Sequence, residues 1–212
     1  MGREFIDLFD KWAQSYDTAV RGGDKEYEEV FERYDQILNS VADKAYGNVV
    51  EFGVGTGNLT EKLLQRGLRV WGIEPSKGMR KKAKEKFPRL QLINGDFLHF
   101  PHVDAAIDSI VSSYAFHHLT DEEKDQALAL YSQLLRKNGK IIFADTLFED
   151  KKSKQAILKD AEQRGFFQLH HDLKTEYYPL KETMANLFQK NGFDVSFAPL
   201  NRYVWLMEAI KR

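Results

Sequence analysis

Val49-Val50-Glu51-Phe52-Gly53-Val54-Gly55-Thr56-Gly57-Asn58 is the stretch on which the reading of this chain turns. Apolar residues run into three glycines at alternate positions, the pattern of a strand that bends sharply into a helix. Glycine at such a bend lets a ligand approach bare backbone at the helix N-terminus, where unpaired N–H groups favour polar or anionic groups. Glycines also serve plain turns, so the run alone says cofactor or tight turn. A dinucleotide fingerprint would place its third glycine at position 58, where this chain has Asn58, and that weakens a nicotinamide reading. Glu51, two residues before the first glycine, is positioned to accept a hydrogen bond from a cationic ligand group.

Outward from this run, strands and helices alternate. Strands are expected at Val49 to Phe52, Arg69 to Ile73, Leu90 to Ile93, Ser109 to Ser112 and Lys140 to Ala144. Helices are expected at Leu59 to Gln65, Lys77 to Lys86 and Glu122 to Lys137, the last stopped by Asn138-Gly139. This alternation predicts a parallel sheet covered on both faces. Further helices are expected near Lys151 to Gln163 and Leu180 to Lys190. Two closing strands, Phe193 to Pro199 and Arg202 to Ala209, must form a hairpin, so the final strand runs antiparallel. Before the first strand, Phe5, Leu8, Phe9, Trp12 and Tyr16 recur at helical steps, and a second helical stretch runs from about Lys25 to Lys44.

Composition narrows the class. The 212 residues fit one domain, and 42% hydrophobic with 13% aromatic content argues for a packed core. A net charge of -1 offers no field for nucleic acid or an anionic membrane. The absence of cysteine excludes disulfides, thiolate nucleophiles and cysteine-held zinc. No apolar run approaches the roughly 20 residues of a membrane span, and no secretory core opens the chain, so a cytoplasmic protein is expected.

Chemistry-bearing residues sit where the strands end. Glu74 closes the second strand, and a carboxylate there can accept both hydroxyls of a ribose; a solvated loop acid is the alternative. Ser76 can cap the following helix. Asn94-Gly95-Asp96-Phe97 ends the third strand, with Asp96 able to accept from an adenine amine and Phe97 able to pack on the ring, or else forming a simple turn.

Together these segments resemble the motifs of class I S-adenosylmethionine-dependent methyltransferases, in particular the small-molecule group. Glu51-Phe52-Gly53-Val54-Gly55-Thr56-Gly57 is similar to that family's first motif, and Ile73-Glu74-Pro75-Ser76-Lys77-Gly78-Met79 to its second. Asn94-Gly95-Asp96-Phe97 resembles the third. Ser112-Ser113-Tyr114-Ala115-Phe116-His117-His118-Leu119 resembles the segment after the fourth strand, and Leu134-Leu135-Arg136-Lys137-Asn138-Gly139-Lys140 the lead into the fifth. The likeness runs from about Phe9 to the C-terminus. Over its whole length the chain also resembles the YrrT-type methyltransferases of Bacillus-like bacteria, a group linked to recycling of sulfur amino acids.

The resemblance implies an α/β fold: a Rossmann-like, doubly wound, seven-stranded sheet, mostly parallel with an antiparallel final strand, and helices on both faces. It implies one domain over residues 1–212, with a helical lid at 1–46, a core at 47–212 and acceptor-site insertions near 150–180. S-adenosylmethionine is the implied cofactor. Gly53, Gly55 and Gly57 would line its methionine part, Glu74 its ribose, and Asp96 with Phe97 its adenine. Pro75 and Met79 would join the cofactor site through the second motif, Ser113 would lie near the amino-acid end, and Glu51 would stand beside the first glycine. Phe9-Asp10-Lys11-Trp12-Ala13-Gln14-Ser15-Tyr16-Asp17 resembles the lid, with Tyr16 a candidate for the cofactor carboxylate; ordinary helix packing is the alternative for Trp12 and Tyr16.

Methyl transfer from a sulfonium needs alignment and exclusion of water, and a general base only if the acceptor must lose a proton. His117 and His118 are the candidates for that base, against a structural role. His170-His171 can line an acceptor pocket. Adjacent histidines in an extended segment point to opposite sides, so no metal site is expected. Phe166, Phe167, Tyr177, Tyr178, Tyr203 and Trp205 form either an aromatic acceptor pocket or core. The expected partner is a small-molecule acceptor, with no nucleic acid, no membrane, and a monomer or homodimer. Two other readings stay open: a non-catalytic cofactor-binding sensor and a nicotinamide-dependent oxidoreductase.

Overall fold

Side chains on the first strand, β1 (Asn48–Phe52), alternate between two cores because successive strand residues face opposite sides of a sheet. Val49 joins one apolar cluster, while Val50 and Phe52 join the other. The computed structural model that shows this describes Asp10 and residues 12–212. Phe5, Leu8, Phe9 and Lys11, which belong to the expected lid helix, lie outside the described residues.

Among the described residues, seven strands build one sheet in the order β3-β2-β1-β4-β5-β7-β6. They are β1, β2 (Arg69–Ile73), β3 (Gln91–Ile93), β4 (Ile107–Ser113), β5 (Leu135–Thr146), β6 (Phe193–Pro199) and β7 (Val204–Lys211). The first five pair in parallel, and β7 runs antiparallel to both β5 and β6. The strand order reverses between β1 and β4, and in open α/β sheets ligands bind beyond the carboxyl ends of strands at such a switch.

Helices cover both faces. On one side lie α1 (Tyr34–Lys44), α2 (Asn58–Gln65) and α3 (Lys77–Lys86), with α5 (Lys151–Gln163) and α6 (Phe167–Thr175) packed into the same cluster. On the other lie α4 (Asp121–Leu134) and α7 (Lys181–Lys190). Thr120 and Glu123 cap α4 reciprocally, which satisfies backbone groups that the first turn leaves unpaired. Ser76 caps α3, its Oγ accepting from the Met79 N–H at 3.1 Å. No helix among the described residues is long and apolar enough to cross a membrane.

Four expectations shift. The helix expected from Lys25 begins only at Tyr34, because Arg33 takes a left-handed conformation (φ 62°) that a continuous helix does not tolerate. The helix expected to reach Lys137 ends at Leu134. Leu135 is extended and pairs with Ile107, so Asn138-Gly139 mark an irregularity inside β5 rather than a helix stop. The last strand starts at Val204 because the Asn201 side chain accepts from the Tyr203 and Val204 amides and holds a turn there. Residues 167–175 are helical, and the histidine pair expected in an extended segment lies on α6.

The second core is strongly aromatic. Phe52 stacks on Phe97 at 5.3 Å and on Tyr131 at 5.0 Å, and meets Phe100 edge-on at 5.0 Å. Phe52→Ala should therefore cost about 3–5 kcal/mol. Urea unfolding should show a lower midpoint at unchanged slope.

Candidate active site

The turn after β1 holds Gly53, Gly55 and Gly57 at φ values of 67°, 56° and 90°. These are left-handed conformations that strain any residue with a Cβ. At Gly53 an added Cβ would meet Ala115 at 2.7 Å, whereas at Gly55 it would meet nothing within 4 Å. Open space therefore begins at Gly55. β2 approaches the same turn closely, since a Cβ on Gly72 would lie 2.7 Å from Val54.

Glu74 organises this region. Its Oε2 accepts from the Gly55 N–H at 2.9 Å and its Oε1 from the Ser76 N–H at 2.8 Å. Each oxygen keeps a further lone pair for a ligand hydroxyl. Burial pushes its pKa up to about 6, against the two amides that hold the charged form. Glu51 lies deeper: burial pushes it up to about 8. Its Oε2 accepts from Thr60 Oγ1 at 2.5 Å, while its Oε1 is buried with no hydrogen-bond partner among the described residues. Such an atom is a standing cost that a cationic ligand would relieve. Pro75 follows Glu74 directly, and Met79 is buried on α3. Asp96 closes a turn, its Oδ1 accepting from the Leu98 and His99 amides at 2.9 and 2.8 Å. Phe97 is half-buried against Phe52 and Phe116. Ser113 ends β4.

Two aspartates of the N-terminal segment reach the helix ends beside this turn. Asp10 Oδ1 accepts from the Gly78 N–H at 2.9 Å and from Ser76 Oγ at the start of α3. Asp17 accepts from Thr56 Oγ1 and Asn58 Nδ2 at the start of α2, at 2.5 and 3.0 Å, and pairs with Lys86 at 2.7 Å. Carboxylates at helix N-termini complement the partial positive charge there.

A second space, a cavity of about 390 Å³, opens beside the N-terminal segment. Tyr16, Tyr27 and Phe31 line it from the N-terminal side, Tyr114, His117 and His118 from the loop after β4, and Asp172, Glu176 and Tyr178 from the segment after α5. Of the six aromatics read as either an acceptor pocket or core, Tyr178 and Tyr203 line it, and Phe167 is 70% exposed. His170 and His171 are not among its lining residues. Tyr16 is half-buried, and burial and its bond to Tyr34 raise its pKa well above the usual tyrosine value.

His117 and His118 lie in a tight turn (Phe116–His118) with ring centroids 4.0 Å apart. The premise that they point to opposite sides is thus overturned: a 3-10 turn does not alternate its side chains as a strand does. His117 Nδ1 lies 2.6 Å from Asp145 Oδ1, and its Nε2 lies 3.2 Å from Glu176 Oε2. Asp145 also accepts from the His117 backbone N–H at 3.1 Å. Burial opposes charge on His117, but the two carboxylates outweigh it and raise the pKa to about 10. The ring is thus clamped between the two carboxylates. Burial, then the charge on His117, lowers His118 to about 3. Glu176 is held at about 2, with burial outweighed by His117.

A family model described as a methyltransferase domain matches residues 49–139. An uncharacterized methyltransferase of Geobacillus kaustophilus is 58% identical over 213 residues, covering 100% of this chain and 99% of that protein. The chain belongs to this methyltransferase family. A relative of the same description from Bacillus cytotoxicus is 57% identical over 213 residues, covering 100% of both proteins. Among solved structures, the methyltransferase shares its fold with the magnesium protoporphyrin IX methyltransferase of Synechocystis PCC 6803 with bound SAH, at a TM-score of 0.73 and 17% identity over 100% of both chains.

Sequence reasoning passed over Asp145, Glu176, Asp17 and the buried Lys124. Asp145 carried a usable signal, an acid near the carboxyl end of a parallel strand. Glu176 carried none, since it lies 59 positions beyond His117 and meets it only through tertiary packing. Lys124 Nζ donates to the Leu119 carbonyl and, at 2.7 Å, to the Tyr177 carbonyl, tying the Glu176 segment to α4.

The state of Glu51 sets a pH test. Its folded pKa, about 8, lies above the ordinary 4.5, so its burial costs nothing electrostatically below pH 4.5 and costs stability progressively as pH rises to 8. Glu51→Gln keeps an acceptor for Thr60 without the charge. Its urea midpoint should exceed that of the parent by a margin that grows from pH 5 to pH 8.

Proposed function

We propose that this methyltransferase moves the methyl group of S-adenosylmethionine to a small-molecule acceptor seated in the cavity beside the lid, releasing S-adenosylhomocysteine. The observation that carries the reading is the Glu74 carboxylate bound to the Gly55 amide at the mouth of the glycine turn. An acid at the second strand's end, a bare-backbone turn and a buried acid with one unpartnered oxygen stand together there, which suits a cofactor bearing a diol, a carboxylate and an ammonium group. Glu74 holds the ribose hydroxyls, with Pro75 and Met79 beside it, and Asp96 with Phe97 holds the adenine. Gly53, Gly55 and Gly57 follow the methionine chain, Glu51 faces its ammonium group, and Ser113 and Tyr16 close on its amino-acid end. Bound cofactor supplies an activated methyl on a sulfonium, and the chain contributes alignment and a dry chamber. The acceptor enters from the side of Tyr114 and His117, both of which line the cavity. A metabolite linked to sulfur amino acid recycling fits the whole-length resemblance noted from sequence.

Thermal shift tests the donor. S-adenosylmethionine or S-adenosylhomocysteine should raise Tm in proportion to ligand excess over Kd, and NAD should not. Glu74→Ala should lose most of the shift. Stabilisation by NAD alone, or a full shift in Glu74→Ala, would overturn the assignment. Incubation of labelled methyl donor with a metabolite extract should yield a labelled small product. An unlabelled extract from a protein that still binds the donor would favour a sensor.

A further inference from the structure

We propose that His117, His118 and Glu176 form a binding site for a divalent transition-metal ion of the zinc type, opening onto the acceptor cavity. One ligand atom from each residue lies within 4.8 Å of the others. His117 Nε2 and Glu176 Oε2 are 3.2 Å apart, the spacing of two neighbours around an ion bound at about 2.0–2.2 Å. The turn that carries the two histidines brings their rings together, tilted at 55° with centroids 4.0 Å apart.

The surroundings are those of a metal ligand. Asp145 accepts from Nδ1 of His117, which fixes the tautomer and leaves Nε2 aimed at Glu176; a carboxylate behind a histidine is the usual support for a metal-bound imidazole. Tyr178 Oη donates to Glu176 and orients it in turn. Asp145, Glu176 and Asp172 give the region an excess of acid, opposed by Lys124, whose ammonium group is turned to the Leu119 and Tyr177 carbonyls and Asp121. An ion would take the place of the proton held between His117 and Glu176.

Two imidazoles and a carboxylate suit zinc and its neighbours, whereas magnesium and calcium favour all-oxygen shells. All three residues line the cavity, so the fourth position faces the space assigned to the acceptor. Three protein ligands with an open position are the pattern of sites that act on a bound molecule. The role of the ion, though not its binding, rests on the methyl-transfer reading. A thiol or hydroxyl acceptor bound to the ion loses its proton to solvent at a lowered pKa. Its lone pair then attacks the methyl carbon while the carbon–sulfur bond breaks, leaving its electron pair on sulfur.

Chelator-treated full-length protein, free of methyl donor, is titrated with Zn(II) by calorimetry and with Co(II) by visible absorption. One ion per chain at micromolar Kd or tighter is expected, with the absorption of a four- or five-coordinate Co(II). Glu176→Gln and His118→Gln should each weaken binding at least tenfold, and Asp145→Asn by about 10–100-fold. The double variant His170→Gln/His171→Gln should bind as the parent does. Absence of stoichiometric binding, or unchanged affinity in Glu176→Gln and His118→Gln, would overturn the site. Variants are judged only where circular dichroism matches the parent, and Asp145→Asn decides if the ligand variants do not fold. The thermal shift with S-adenosylmethionine on metal-free protein reports the donor reading separately, so either can fail alone.

Discussion

Glu74 bridges the Gly55 and Ser76 amides, and in doing so locks the turn after β1 to the turn after β2. Both turns precede helices, so one buried carboxylate sets how α2 and α3 leave the sheet. The lock requires that β2 come close to the glycine run, which is possible because Gly72 leaves room for Val54. The cost of burying this acid is partly offset by its two amide donors, and its raised pKa measures what remains. Two aspartates of the N-terminal segment use the same helix ends. Asp10 and Asp17 thereby tie the N-terminal segment to the part of the sheet that holds the cradle.

The cavity side depends on longer connections. Asp145 at the end of β5 fixes both the backbone and the ring of His117. Glu176 arrives from a segment pinned by Lys124 to Tyr177 and by Phe148 to Pro179. Each of these ties spans two elements far apart in the chain. The histidine pair and the carboxylates are therefore tied to the sheet beneath them, which is what alignment of two reactants requires.

Much of this is legible in the sequence where physical signals are local. Short apolar runs marked β1 and β2, and the two strand-like runs from Phe193 to Pro199 and from Arg202 to Ala209 marked the closing hairpin. Ser76 declared its capping role by standing just ahead of a helical run. Errors fell where tertiary contacts overrode local preference. Leu135 continues the helical pattern of α4, yet it pairs with Ile107 because the sheet needs a neighbour there. His170-His171 read as an extended pair, yet Leu169 and Leu173 bury one face of a helix there, beside α5. Tyr178 and Tyr203 reach the cavity, whereas Phe167 faces outward, a difference no composition rule separates.

By itself the sequence determined the sheet class, the glycine turn and the acids at the strand ends, because backbone conformation and strand periodicity are written in neighbouring residues. Only the tertiary structure decided what faces the cavity beside Tyr114 and His117. His117, Asp145 and Glu176 meet from three separate segments, and the packing of β5 against the chain beyond α5 brings them together. Charge on a buried imidazole depends on what lies within a few ångströms of it, and that distance is a property of the fold, not of the residue.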